Sequence, residues 1–137
     1  MKKLSIFCFL IIVFCNSIFA KAPETKCDDH AEFYDPNKIA EGVYWNDLDA
    51  KKAIIDCKEA LSLYPNELRF SYQLARGYYK DEQFEIAYNL FLQLADKKYA
   101  YAFYELGYME YFEEYGQFSE DTVNWFIQAS KFNIKNA

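Results

Sequence analysis

Few side chains in this chain can do chemistry, and their spacing limits what they can do together. The one histidine, His30, follows Cys27, Asp28 and Asp29. One imidazole excludes a two-histidine metal site. A zinc ion on Cys27 and Cys57 would want two more Cys or His ligands, and beyond residue 22 only His30 is available. Beside two aspartates, His30 is expected to be solvated or capping. Beyond residue 22 the serines are Ser62, Ser71, Ser119 and Ser130. None has a nucleophile-elbow context, a triad would have to borrow His30, and no Gly-rich phosphate loop is present. Glu113-Glu114 and Glu105/Glu110 are spaced as paired carboxylates, but acids on helix faces and loops ordinarily solubilise. The expectation is a protein that is not an enzyme and uses neither metal nor cofactor.

The leader and the cysteines bear on the compartment of this chain. Lys2 and Lys3 precede an apolar run from Leu4 to Cys15, and small residues close it as Ile18-Phe19-Ala20 or Ala20-Lys21-Ala22. This is the pattern of a secretory signal over residues 1–22, with cleavage after Ala20 or Ala22. The run falls short of the ~20 apolar residues of a membrane span, so no stable insertion is expected after cleavage. Ile12, Val13 and Phe14 are too bulky before Cys15 for the usual lipid-attachment site. Cleavage after Ala22 would leave 115 residues, one domain, and would remove Cys8, Cys15 and three lysines. Lys and Arg then fall from 15 to 12 against 21 acids, a net charge of −9. Such acidity repels phosphate backbones, so nucleic acid is excluded as a partner. Cys27 and Cys57 remain in an oxidising compartment, periplasmic or extracellular, and are expected to form one disulfide; a reactive thiol or a metal pair are the competing readings. Closing a loop of about 30 residues would stabilise the fold by roughly 3 to 4 kcal/mol in the chain-entropy treatment.

The elements that must position these residues follow from a pattern met three times. Ala53-x-x-Asp56-Cys57-x-x-Ala60, Ala87-x-x-Leu90-Phe91-x-x-Leu94-Ala95 and Thr122-x-x-Trp125-Phe126-x-x-Ala129-Ser130 are offset by 34 residues (53 to 87) and 35 (87 to 122). Each sets small residues one turn either side of a bulky one, which lets two helices approach closely. Leu74-Ala75 and Leu106-Gly107, 32 residues apart, mark the helix preceding the second and third copies. Residues 23–46, with Pro23, Asp35-Pro36, Asn37-Lys38 and Gly42-Val43, lack periodicity and read as an irregular strap with one short helical turn at most. Residues 47–137 read as the helical repeat domain. Helices are expected from Asp47 to Tyr64-Pro65, from Asn66 or Glu67 to Lys80 or Asp81, from Glu82 to Asp96 and from Ala100 to Tyr111. The last opens at an N-cap in Ser119-Glu120-Asp121 and runs through Phe132. The expected fold is all-α, a short right-handed helical solenoid of about five antiparallel helices behind the N-terminal strap.

Leu74-Ala75-x-x-Tyr78, Ala87 and Phe91 resemble the helix-turn-helix signature of the tetratricopeptide superfamily. Leu106-Gly107-x-Met109, Gly116 and Asp121-x-x-x-Trp125-Phe126-x-x-Ala129-Ser130 are similar to its Sel-one-like branch, and the leading segment resembles what precedes such repeats in secreted bacterial proteins. The resemblance covers about 85% of the chain after the leader. Glu110 stands where the family usually has tyrosine and Asn133 where glycine usually ends the unit. Only two full units plus one leading helix are present, whereas solenoids usually want three repeats and a polar cap.

The resemblance implies a concave face lined by the first helix of each unit. Carried over residue by residue, that groove is Arg69, Tyr72, Arg76, Tyr79 and Lys80, then Tyr101, Tyr104, Tyr108, Tyr111 and Phe112. Rigid rings and guanidinium groups of this kind suit an extended peptide or a partner protein. The competing reading is that half the rings simply fill space between helices. The expected function is a secreted or periplasmic protein–protein interaction module. The alternative, taken from cysteine-rich relatives of the repeat family, is a cell-wall or β-lactam-related hydrolase or accessory factor; those relatives carry cysteine pairs inside each repeat, which this chain does not. Self-association is expected if the last helix leaves Trp125 or Phe132 uncovered.

Overall fold

Asp49 opens the first long helix by accepting a hydrogen bond on its side chain from the Lys52 amide at 3.2 Å, which satisfies one of the donors that every helix start leaves unpaired. That helix, α2, runs Ala50–Leu63, and Tyr64-Pro65 ends it. It is followed by α3 (Leu68–Lys80), α4 (Phe84–Asp96), α5 (Ala100–Tyr111) and α6 (Glu120–Lys131). A short α1 (Lys26–Ala31) and a 3-10 turn (Trp45–Asp47) precede them, and no strand occurs among the described residues. The structure is a computed structural model that describes residues 21–31 and 42–132. The leader through residue 20, the strap segment with Asp35-Pro36 and Asn37-Lys38, and Asn133 lie outside the described residues.

The five expected helices form within a few residues of their expected ends. Ser119 caps α6 as expected, accepting from the Asp121 amide while Thr122 Oγ1 accepts from the Ser119 amide at 2.9 Å, a reciprocal capping box. Within the described part of the strap, the short helical turn that the sequence allowed is α1. Thr25 starts that helix: its amide donates to Asp28 Oδ2 at 2.9 Å and its carbonyl accepts from the Asp28 amide at 2.9 Å.

Consecutive helices pack as neighbours, and α1 lies against both α2 and α3. The small–large–small pattern is the buried face: Ala53, Cys57 and Ala60 of α2, Ala87, Phe91, Leu94 and Ala95 of α4, Thr122 and Ala129 of α6. Ser130, the last small residue of the third copy, is instead exposed. Two glycines let helices touch. A Cβ on Gly77 would lie 3.1 Å from Ile54 Cγ1, and one on Gly107 would lie 2.9 Å from the Phe126 ring, inside van der Waals contact. Cys27 and Cys57 are bridged, with Cα atoms 4.5 Å apart, so the disulfide ties α1 to α2.

One turn geometry closes three helices in succession. Glu82, Lys98 and Glu113 stand just beyond α3, α4 and α5 with φ of 59°, 59° and 53°. In each case the next amide reaches back to a carbonyl of the last turn: Gln83 to Tyr78 at 3.0 Å, Tyr99 to Leu94 at 2.9 Å, Glu114 to Met109 at 2.9 Å. These are Schellman closures with charged residues where glycine would be unstrained.

Candidate functional site

Helix α3 is the centre of the molecule: ten of its 13 residues are buried, including Arg69, Tyr72, Arg76 and Tyr79. Four of the expected groove positions are therefore covered, and the N-terminal segment contributes much of the cover. Arg69 donates through Nε to Asp28 Oδ1 at 2.9 Å and through Nη2 to the carbonyls of Ala22 at 3.1 Å and Pro23 at 2.7 Å. Its Nη1 lies 3.0 Å from Glu67 Oε2, close enough for an ion pair but not aligned as a hydrogen bond. Arg76 donates to the Ala31 carbonyl at 2.6 Å and to the Val43 carbonyl at 3.3 Å. The two guanidinium groups thus hold the backbone of the strap. Lys80, the last of the α3 set, sits with its ammonium 5.0 Å above the Trp45 ring.

The second half of the expected groove lies on α5 and is more open. Tyr101, Tyr104 and Tyr108 are half-buried, whereas Tyr111 is 57% and Phe112 54% exposed. Their rings form a connected run: Tyr104 to Tyr108 at 6.0 Å between centroids, Tyr108 to Phe112 at 4.5 Å, Phe112 to Tyr111 at 5.0 Å, and Tyr111 to Phe118 at 6.1 Å. Phe118, 54% exposed, extends the surface into the loop before α6. Spacing on α5 had no means of including it.

Buried carboxylates organise both halves. Tyr72 donates to Glu105 Oε1 at 2.8 Å, joining α3 to α5. Burial pushes the Glu105 carboxyl up, against the opposing pull of the Tyr72 hydrogen bond and the Arg76 charge. Glu110 gathers three donors, from Tyr88 Oη at 2.5 Å, Thr122 Oγ1 at 2.7 Å and Trp125 Nε1 at 3.0 Å. Burial, and then the carboxylate of Glu110, push the Tyr88 phenol well up. Tyr79 donates to Glu114. Glu105 and Glu110 are thus structural acids in the interior, a correction to their reading as solubilising side chains, and α4 and α6 both aim donors at Glu110.

The remaining chemical residues are engaged locally. His30 Nδ1 is 2.5 Å from Asp56 Oδ2, an α1–α2 contact beside the disulfide, so His30 is paired as well as half-exposed. Ser62 and Ser130 donate to the carbonyls of Glu59 and Ile127. Among the described residues no three His, Cys, Asp or Glu side chains gather as a metal would need, and no helix is long and apolar enough to cross a membrane. A scan against protein-family models, a search of curated proteins and a search of solved structures each return no match to this chain.

Proposed function

We propose that this protein is a secreted or periplasmic interaction module that holds an extended segment of a partner protein against the aromatic face of α5. The observation that carries the reading is the unbroken ring run from Tyr104 through Tyr108, Phe112 and Tyr111 to Phe118, whose outer members remain exposed. Large exposed apolar patches on a small domain mark contact surfaces, and aromatic rings bury area there at low entropic cost. Glu113 and Glu114 stand exposed beside these rings in a chain of formal charge −6. A partner segment with Lys or Arg among apolar residues matches that chemistry, since cations lie favourably over ring faces and near carboxylates.

The helices, in this proposal, form a short right-handed array of antiparallel pairs of the tetratricopeptide, Sel-one-like kind. The packing of each helix from α2 to α6 chiefly on the next one along the chain and the repeated Schellman closures support it. The outer face of α6, where Val123, Ile127 and Phe132 are exposed, would then be the open end, the place for a second copy to associate.

The test is a cellulose-bound array of peptides varied in charge and aromatic content, probed with the oxidised protein and with a Tyr111→Ser, Phe112→Ser variant. Both positions are exposed, so the variant should melt at the wild-type temperature. Selection of basic apolar peptides that is lost in the variant supports the reading. Equal binding by both proteins, or preference for acidic peptides, overturns it.

A further inference from the structure

The leader pattern offers two bonds for cleavage, after Ala20 and after Ala22, and the folded chain distinguishes between them. Ala22 belongs to the hydrophobic core at 5% exposure. Its amide donates to Glu67 Oε2 at 3.3 Å and its carbonyl accepts from Arg69 Nη2 at 3.1 Å. The next carbonyl, of Pro23, accepts from the same nitrogen at 2.7 Å. Lys21, one residue earlier, is exposed. A cavity of about 300 Å³ lies beside Lys21 and Ala22 against residues 63–67.

Cutting after Ala22 would do three unfavourable things at once. It would remove a buried methyl, it would delete a carbonyl that a buried guanidinium uses, and it would create a positive amine on Pro23 next to that same guanidinium. Leaving a buried charged donor without its acceptor is among the more costly changes a small domain can suffer. Cutting after Ala20 does none of them. The Ala22 amide stays an amide, and the new ammonium falls on exposed Lys21, which lines the cavity together with Glu67.

Resting on the secretory part of the proposed function, we propose that Ala20–Lys21 is the processing site and that the mature chain begins at Lys21. A signal-peptidase-type endoprotease hydrolyses that bond: water adds across it, the carbonyl carbon of Ala20 keeps the oxygen as a carboxylate on the departing leader, and the nitrogen leaves as the free amine of Lys21. The sequence suits this cut, with Ala20 immediately before the bond and aliphatic Ile18 two residues further back. The competing bond would place the proline nitrogen of Pro23 on the leaving side. Processing at Lys21 makes the first residues of the mature protein a working part of the fold, since Arg69 then closes on backbone that survives cleavage.

The experiment expresses the full chain in a Gram-negative host, recovers the exported protein, and reads its amino terminus by sequencing and its intact mass. Lys-Ala-Pro-Glu at the start is the expected result. Pro-Glu-Thr at the start, or any other cut, overturns the site while leaving secretion standing; a chain that keeps Met1 overturns secretion as well. A second chain carrying Ala22→Arg destroys the small residue that a cut after position 22 requires. It should be processed at Lys21 as before, read as Lys-Arg-Pro, and a block of processing in this variant would count against the site even if the protein then failed to fold.

Discussion

Arg69 Nε donates to Asp28 Oδ1 across 2.9 Å in a setting where Asp28 is fully buried, joining residues 41 apart in sequence. Gln73 Nε2, one turn further along α3 from Arg69, donates to the same oxygen at 3.1 Å. Burial by itself pushes the Asp28 carboxyl up; the hydrogen bonds from Arg69, Gln73 and the Thr25 amide outweigh it and hold the group below the usual carboxylate range. This ion pair holds α1 against α3, as the disulfide holds it against α2.

Removing one partner strands the other. Asp28→Ala should cost roughly 3 to 5 kcal/mol, the usual penalty for an orphaned buried charge, read as a fall in the urea midpoint. Because the folded-state pKa is depressed, the stabilisation is present above the unfolded value of about 3.9 and is lost as pH falls through the folded value. Wild type should lose stability in that acid window more steeply than Asp28→Asn.

Glu105 carries the opposite sign. Its folded pKa is raised by burial, so from the unfolded value of about 4.3 up to the folded one the native state holds a proton that the unfolded state has released. Stability from this group falls as pH rises through that window. Glu105→Gln keeps an acceptor for Tyr72 and lacks the titration, so its melting temperature should exceed that of wild type at pH 7, with the gap closing toward pH 4. A gap independent of pH would show that the carboxylate is not the cause.

Glu110→Ala leaves the donors of Tyr88, Thr122 and Trp125 without their shared acceptor. A loss of about 3 kcal/mol is expected, from three orphaned donors at a partly wet site. Equilibrium unfolding followed by tryptophan emission, from Trp45 and Trp125 together, checks it, and Glu110→Gln should recover part of the loss.

The left-handed turn residues offer a gain. Lys98 is exposed with φ of 59°, a conformation that costs side-chain-bearing residues roughly 1 to 2 kcal/mol. Lys98→Gly should stabilise by about 0.5 to 1 kcal/mol after the larger backbone entropy of glycine is counted, measured by thermal denaturation. The same change at exposed Asn89, inside α4, should destabilise.

Much of the fold was legible because helical patterning is local. Ala53, Cys57, Ala60, Ala87, Phe91 and Ala129 turned out buried on the faces their spacing assigned, and Pro65 and Ser119 marked a stop and a start that the backbone obeys. Cysteine arithmetic reached the Cys27–Cys57 bridge, since those are the two cysteines beyond residue 22. The candidate surface was legible by halves. Tyr104, Tyr108 and Tyr111 fall on the more open face of α5, but Arg69, Tyr72, Arg76 and Tyr79 are buried, and nothing in their periodicity distinguishes an arginine that awaits a partner from one that grips a strap.

What this sequence determined unaided is therefore the five long helices, their approximate limits and the side of each that turns inward, because those follow from interactions among residues three and four apart. Only the tertiary structure decided which acids are interior, that α1 would lie across α3, and that the open rings end at Phe118. Each of those depends on a charge or a ring meeting its partner across dozens of residues, and the free energy of such a meeting is set by burial, which no local pattern encodes.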